Sequence, residues 1–366
     1  MVSINIRRLT RVSFVVLFAF ASICAQEPHA TLASAAVQSR TSEINLDFPE
    51  PHNVVMLSVP DQPAAIKIDL MRLKIIQSDL RQDLSGRRMM AEDSRGWVFS
   101  SFLFPREHAK NSTDLREWEW TDLQKGLAKN GLKPQQVKLY EKSGTAMLEY
   151  TIEEFRGQKV HQRNLFGYVV SGNLAIDFHI SKVAFTPDDQ KYLDTLLSGI
   201  SLVENYEPDS KTEYGYGSAF YLEKNWKRAA AHYAKALETE RKTRTLPTGE
   251  WRVLVDNLGM AYAFTGDLGK AKATFEYGVQ EDGTYPMFHY NLACYYGETN
   301  DLDRVLEQLR VAFQYRNNGI PGEGMPDPSK DDSFKRYLKD PRFQALSKEL
   351  CPRSTLSEGG WSCRQS

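Results

Sequence analysis

The 366-residue sequence lacks the short motifs by which most hydrolases, metalloproteases and nucleotide-binding enzymes are recognised. It contains no His-Glu-x-x-His, Gly-x-Ser-x-Gly, phosphate-binding loop or Cys-x-x-Cys. Its cysteines and histidines do not follow metal-ligand spacing. The 46 basic residues are balanced by 47 acidic ones and form no basic run, so the footprint for binding phosphate backbones is missing. We therefore predict no catalytic residues, no metal, no cofactor and no nucleic-acid partner.

Long apolar runs are also scarce. The run at residues 12–25 is too short to cross a bilayer, and it follows three arginines in the layout of a secretory signal: Arg7, Arg8 and Arg11. We predict a signal peptide at residues 1–25. Its removal takes away three positive charges and no acid, so the net charge moves from −1 to −4 and no integral membrane span remains. The product is predicted to be exported, either periplasmic or secreted.

The alternative interpretation of this N-terminus is lipidation at Cys24, which the bulky Ile23 before it disfavours. Export permits disulfides. Cys351 and Cys363 bracket a Pro- and Gly-containing loop in the tail, and closing a loop of this size is worth about 3 kcal/mol. We predict that they are bonded, with two free thiols as the alternative. Cys294 is interpreted as a small buried apolar residue of a helix.

The first half of the chain has the pattern of an α+β domain. Residues 26–43 are predicted to be flexible, and residues 44–206 to form a mostly antiparallel sheet with two helices. Apolar side chains alternate with others along residues 174–181, which indicates a half-buried strand. Further strands are predicted at 55–59, 64–70, 97–104, 146–155 and 165–170, and helices at 113–129 and 187–198. This order of elements is loosely similar to PsbP-like domains.

The second half contains a 34-residue period. Residues 257–262 return as 291–296, and Ala271 and Phe275 return as Val305 and Leu309. This pattern resembles the tetratricopeptide repeat (TPR), in which small residues lie where two helices cross and large ones fill the next layer. The resemblance implies stacked helical hairpins that bind polypeptides and perform no chemistry.

The resemblance divides the second half into three hairpins at 207–320, capping helices at 321–350 and a tail at 351–366. The first hairpin carries an eight-residue insertion near 245–251. The second departs from the pattern at Gly278, where an alanine is usual, and is interpreted as weakened there.

The resemblance also implies that the first helix of each hairpin lines the concave face. The predicted partner-binding residues are therefore Tyr214, Ser218, Tyr221, Val253, Asn257, Met260, Phe264, Met287, Tyr290 and Asn291, with Cys294 beside them. These residues suit an uncharged or apolar polypeptide segment. The basic residues of a carboxylate clamp are missing, because Tyr214 and Met287 occupy two of those positions. The alternative is that these side chains pack internally.

The favoured hypothesis is a non-catalytic, exported scaffold or adaptor for another protein. A second hypothesis gives the α+β domain a hydrolase or small-ligand role built from five polar residues: His161, His179, Glu153, Glu154 and Asp177. Both histidines are interpreted as surface residues with satisfied polar atoms. In a third hypothesis the repeats are structural or dimerise the chain, whose oligomeric state the sequence leaves open.

Overall fold

The computed structural model describes residues 53–81, 83–106, 109–352, 354–357 and 360–363. The predicted signal peptide and the predicted flexible segment at 26–43 lie outside these residues. The chain divides into two compact units, Met1–Glu207 and Pro208–Ser366. Among the described residues, no helix combines the length and the apolar character that a membrane span needs.

The first unit contains two antiparallel sheets. A seven-stranded sheet has the order β3-β4-β5-β9-β8-β7-β6, and a three-stranded sheet has the order β1-β2-β10. The strands are β1 (Val54–Ser58), β2 (Ala64–Asp69), β3 (Lys74–Leu80), β4 (Arg87–Glu92), β5 (Trp97–Pro105), β6 (Gln135–Lys142), β7 (Thr145–Phe155), β8 (Gln158–Ser171), β9 (Leu174–Lys182) and β10 (Ile200–Glu204).

Two helices accompany these sheets, as the sequence predicts. Helix α1 (Ser112–Lys129) begins after Asn111, whose side chain accepts a hydrogen bond from the Asp114 N–H at 2.9 Å. A 3₁₀ turn, Pro187–Asp189, leads into α2 (Gln190–Ser198). The Asp189 carboxylate accepts from the Thr186 N–H at 2.9 Å, which completes a capping box.

The seven-stranded sheet is buried on both faces. One face shares a core with the three-stranded sheet and α2, and the other face shares a second core with α1. Strand β9 contributes Ile176 and Phe178 to the first core and Ala175 to the second. The prediction that β9 is half-buried is therefore wrong, because alternate residues of this strand meet a different covering layer.

The second unit contains three helical hairpins, in agreement with the predicted repeats. Their helices are α3 (Ser210–Leu222), α4 (Trp226–Lys242), α5 (Thr248–Phe264), α6 (Leu268–Glu281), α7 (Pro286–Glu298) and α8 (Leu302–Gln314). Four of these helices begin with an Asp or Asn side chain that accepts from a backbone N–H three residues on: Asp209, Asn225, Asp267 and Asp301.

Glycine is required where the helices of the first two hairpins cross. A Cβ atom on Gly217 would lie 2.4 Å from Cδ1 of Tyr233, and one on Gly259 would lie 2.2 Å from Cε1 of Phe275. Both distances are far below van der Waals contact. The small residue of the 34-residue period therefore serves a steric purpose, since an aromatic ring packs directly on the helix backbone.

The predicted insertion lengthens helices: residues 248–251 form the first turn of α5, and α4 and α5 have 17 residues each whereas α7 and α8 have 13. One detail of the array differs from the sequence interpretation, because Gly278 is not a weak point. A Cβ atom there would lie 2.8 Å from the ring of Phe288, so this ring fills the space that the usual alanine would take.

The end of the chain closes the third hairpin. A 3₁₀ helix, Asp332–Tyr337, and helix α9 (Pro341–Leu350) bury Phe334, Phe343 and Leu346 in one core with the third hairpin. The first of the two predicted capping helices is thus 3₁₀ in form. Further 3₁₀ turns are Arg316–Asn318 and Pro328–Lys330. Strands β11 (Ser354–Ser357) and β12 (Gly360–Cys363) form a hairpin, and Cys351 and Cys363 are joined by a disulfide.

Candidate functional site

Side chains of the first helices form a partly exposed strip across the hairpins. Helix α3 contacts α5, and α5 contacts α7. Eight of the ten predicted partner-binding residues keep accessible surface, and Phe264 is 52% exposed. We call these eight residues the first-helix face: Tyr214, Ser218, Tyr221, Val253, Asn257, Met260, Phe264 and Met287.

One end of the first-helix face is a row of aromatic rings. The Trp226 ring lies 4.5 Å from that of Phe264 and 4.9 Å from that of Tyr221, and Tyr221 lies 6.2 Å from Tyr233. Leu222, at the end of α3, is 81% exposed beside this row in sequence. Sequence analysis missed Trp226, because it begins the second helix of its hairpin rather than lying on a first helix.

Hydrogen bonds fix the polar side chains in the middle of the face. The Tyr233 hydroxyl donates to Oγ of Ser218 at 3.1 Å, and Nδ2 of Asn257 donates to the Tyr233 hydroxyl at 3.1 Å. The Ser218 hydroxyl in turn donates to the carbonyl of Tyr214 at 2.9 Å. This chain joins α3, α4 and α5, so the face has a set shape before any ligand arrives.

A carboxylate that sequence analysis missed lies on the same side of α5. Oδ1 of Asp256 accepts a hydrogen bond from Nδ2 of Asn291 at 2.6 Å. Burial and the nearby Glu323 carboxylate raise the pKa of Asp256 to about 7. Asp256 directly precedes Asn257 of the first-helix face on α5 and keeps part of its surface accessible.

The spacing of the repeat could have predicted Asp256 as a residue of this face. Asp256 precedes Tyr290 by 34 positions and follows Tyr214 by 42, the two spacings that relate the hairpins. A second acid, Glu323, has no such signal, because it lies in the irregular segment before the cap. Its Oε1 accepts from the Tyr285 hydroxyl at 2.9 Å. The predicted binding residues are uncharged, but Asp256 adds a carboxylate to the same helix, so the expectation of an uncharged or apolar ligand rested on an incomplete set of residues.

The predicted binding set is corrected at two positions, Tyr290 and Asn291, which are only 2% and 6% exposed. The Tyr290 hydroxyl donates to Oδ2 of Asp331 at 3.0 Å, and its ring packs edge-on against Phe334 of the cap. We leave both residues out of the binding surface, because the cap and Asp256 occupy their polar atoms.

Cys294 lies under the same cap. Its Sγ is 3.8 Å from Oδ2 of Asp331, and burial raises the pKa of this thiol well above its ordinary value. The thiol is part-buried and packs against the core of the third hairpin, in line with the sequence interpretation, and it also donates toward a carboxylate. The third hairpin is thus closed by the chain itself, whereas the first two hairpins keep an open face.

The two histidines of the hypothesised site in the α+β domain, His161 and His179, contact different residues. His161 is exposed, with Nδ1 2.6 Å from the Glu153 carboxylate, as a satisfied surface residue would be. His179 is only 4% exposed, so its interpretation as a surface residue is wrong. Its ring stacks on Phe166 at 4.1 Å and its Nε2 lies 3.1 Å from Oδ1 of Asn164. Burial lowers the pKa of His179 to about 3, which keeps the ring neutral.

Asp327, Cys351 and Cys363 place potential ligand atoms within 4.8 Å of one another. Both sulfur atoms are already bonded to each other. A disulfide offers no thiolate to a metal ion, so these three residues do not make a metal centre.

Comparisons with known proteins give matches among solved structures. No protein-family model matches the chain, and no curated protein matches it. The chain is similar to PcrH from Pseudomonas aeruginosa (15% identity, 38% of this chain and 90% of that one, TM-score 0.27). It is also similar to the Sgt2 TPR domain from Aspergillus fumigatus (17% identity, 41% and 87%, TM-score 0.28). A third match is PsbP (CyanoP) from Synechocystis sp. PCC 6803 (11% identity, 44% and 99%, TM-score 0.31). The matches thus include both TPR structures and a PsbP structure.

Proposed function

We propose that this protein is an exported, non-catalytic scaffold or adaptor that binds a polypeptide segment of another protein on the first-helix face. The observation that carries the proposal is the row of Tyr221, Trp226 and Phe264, whose rings contact one another and remain accessible. Aromatic side chains provide large contact areas at a small cost in conformational entropy, and they dominate the energetics of protein interfaces.

The polar groups beside this row support binding of a polypeptide in particular. Hydrogen bonds with the buried Tyr233 hydroxyl hold Ser218 and Asn257 in place, and the remaining lone pairs and protons of these two part-exposed side chains can bond the amides of a peptide backbone. Three hairpins offer a short groove, so the ligand is a segment of a few residues that lies across α3 and α5.

Export is supported by two features of the sequence and the fold. The arginines before the apolar run at 12–25 have the layout of a signal peptide. The disulfide between Cys351 and Cys363 requires an oxidising compartment, and periplasmic or secreted proteins meet that condition. Intact-mass measurement of material purified from its natural host tests this part: cleavage after Ala25 supports export, whereas an uncleaved chain recovered with the cytosol contradicts it.

The binding proposal is tested by selecting displayed random twelve-residue peptides on the protein comprising residues 26–366. We expect enriched peptides whose affinity falls at least about tenfold when Trp226 and Phe264 are both changed to alanine. Leu139→Ala is the matched control, because Leu139 is also exposed and apolar but lies on β6 of the first unit. Failure to enrich any peptide, or equal loss in the control, contradicts the proposal.

A further inference from the structure

The first-helix face changes in character along α5. Near its end lies Phe264, which is 52% exposed, and two turns earlier lies Asp256. Asp256 and Phe264 are eight residues apart on the same helix, which corresponds to about 12 Å along its axis. A ligand that covers both ends therefore meets an apolar surface first and a carboxylate about 12 Å later.

The carboxylate end has no positive partner of its own. Among residues 53–352 that the structure describes, no lysine or arginine forms an ion pair with Asp256 or with Glu323. The nearby basic residue, Arg252, is bound by the Asp282 carboxylate at 2.7 Å. Two carboxylates close enough to repel each other thus share this region without a counter-charge.

Of the tyrosines in this part of the array, Tyr221 keeps accessible surface. Tyr233 and Tyr285 are only 0% and 1% exposed, and Arg252 already lies 4.8 Å from the ring centroid of Tyr285. Aromatic faces attract cations through their negative quadrupole, and a carboxylate adds a direct electrostatic attraction. An ammonium or guanidinium group is the ligand group that satisfies both.

We propose that the partner segment carries a lysine or arginine, which pairs with the Asp256 carboxylate, and an apolar residue that packs on the Trp226–Phe264 row. An extended chain advances about 3.3 Å per residue, so the basic and apolar residues are three or four positions apart. This inference rests on the proposed function, because it specifies the chemistry of the segment that the first-helix face binds.

Charge complementarity also favours binding of a basic and apolar segment over binding of other segments. An acidic segment would meet two uncompensated carboxylates, and like charges at an interface are strongly unfavourable. A purely apolar segment would cover the aromatic row but leave Asp256 partly desolvated without a partner, which costs free energy. A basic and apolar segment avoids both penalties.

The experiment selects random twelve-residue peptides in parallel on two versions of residues 26–366, the unaltered protein and Asp256→Asn. The substitution removes the charge and preserves the size of the side chain. We expect peptides from the unaltered protein to be enriched in Lys or Arg three or four positions from an aromatic or aliphatic residue. On Asp256→Asn the apolar preference should persist and the basic preference should disappear, with about tenfold weaker binding of the basic peptides.

The matched control is Glu238→Gln, which removes the same unit charge from an exposed side chain of α4 that pairs with Lys242. It should leave the basic preference unchanged. Circular dichroism and thermal unfolding establish that each variant is folded. Peptides enriched without a basic preference, or a basic preference that survives in Asp256→Asn, overturn this inference and leave the proposed function intact. Failure to enrich any peptide on the unaltered protein overturns both.

Discussion

Asn291 donates a hydrogen bond from Nδ2 to Oδ1 of Asp256 at 2.6 Å, and this contact ties the third hairpin to the second. Asn291, an asparagine that recurs in the repeat, thus holds the acidic side chain of Asp256 in place on the binding face. The contact fixes one carboxylate oxygen, while burial and Glu323 oppose ionisation and raise the pKa of Asp256 to about 7. The charge of Asp256, and with it the charge of this face, therefore changes with pH near neutrality.

Binding of a basic peptide is expected to depend on pH between 6 and 8. A cation favours the ionised form of Asp256, so affinity should rise through pH 7 and the bound cation should lower the pKa of this group. Tyr221, Tyr233 and Tyr285 stay protonated over this range because burial raises their pKa values.

Calorimetric titration of a selected peptide in buffers of different ionisation enthalpy measures the protons released at pH 7. We expect release with the unaltered protein and none with Asp256→Asn. Glu323 also faces this site, so Glu323→Gln is the companion variant, and it should lower the midpoint of the pH dependence by removing a repulsive charge. An affinity that is constant from pH 6 to 8 contradicts the prediction.

The same pKa shift makes a prediction about stability. The folded-state pKa of Asp256 lies above its ordinary value of 3.8, so the stability contributed by the protonated group is lost as pH rises from 3.8 through about 7. Asp256→Asn should therefore be at least as stable as the unaltered protein at pH 8. Thermal unfolding at pH 8 checks this, and a clear loss of stability would show that the charge of Asp256 has a structural partner.

Two glycines of α3 should respond in opposite ways to alanine. Gly217→Ala places a Cβ atom 2.4 Å from the Tyr233 ring, and such overpacking costs about 1–3 kcal/mol. Gly215 is exposed with nothing within 4 Å of an added Cβ atom, so Gly215→Ala should stabilise the helix by about 0.5–1 kcal/mol. Urea unfolding of both variants gives the comparison, and equal effects would disprove the steric role of Gly217.

Glu240 should make the first hairpin sensitive to acid. Burial opposes its ionisation, but hydrogen bonds from Ser210, Thr245 and the Leu246 backbone outweigh this effect and lower the pKa of Glu240. A depressed pKa contributes stability above the ordinary value of 4.5, and that stability is lost as pH falls through the lower folded-state pKa.

The corresponding variant is Glu240→Gln, which replaces an acceptor oxygen by an NH₂ group that faces donors. We expect a loss of about 2 kcal/mol at pH 7 and a smaller difference from the unaltered protein below pH 4. Glu238→Gln, an exposed change on the same helix, is the control and should cost little. Unfolding free energies that differ by the same amount at both pH values would contradict the linkage.

The disulfide should stabilise the cap. It closes a loop with a sequence separation of 12, and the backbone N–H of Cys363 donates to the Met325 carbonyl at 2.9 Å, which attaches the tail to the segment before the cap. Changing both Cys351 and Cys363 to serine should cost about 3 kcal/mol. A reducing agent should lower the melting temperature of the unaltered protein but not of the double variant, and two titratable thiols in native material would contradict the bond.

Predicting the array from sequence was possible because its steric requirement repeats in the sequence. Gly217 and Gly259 each receive an aromatic ring, so the small and large positions recur with the hairpins. The edge strands β3 and β6 were missed for the opposite reason. Most of their side chains are exposed, so a core does not impose strict alternation on them.

The binding face was predictable only where it follows the repeat. Trp226 and Glu323 lie outside the first helices, and Glu323 reaches Tyr285 across 38 residues of irregular chain and helix. His179 alternates along β9 as a surface residue would, and only the packing of α1 on that side of the sheet shows that its side chain is covered. Contacts of this kind depend on tertiary structure, which local periodicity does not contain.

Hydrogen–deuterium exchange of the mature protein, with and without an excess of a selected basic peptide, tests the central claim most directly. We predict slower exchange in the peptides that contain residues 218–227 and 256–265 and unchanged exchange throughout β5, β8 and β9 of the first unit. Protection that appears in the first unit, with α3 and α5 unaffected, would contradict the assignment of binding to the first-helix face.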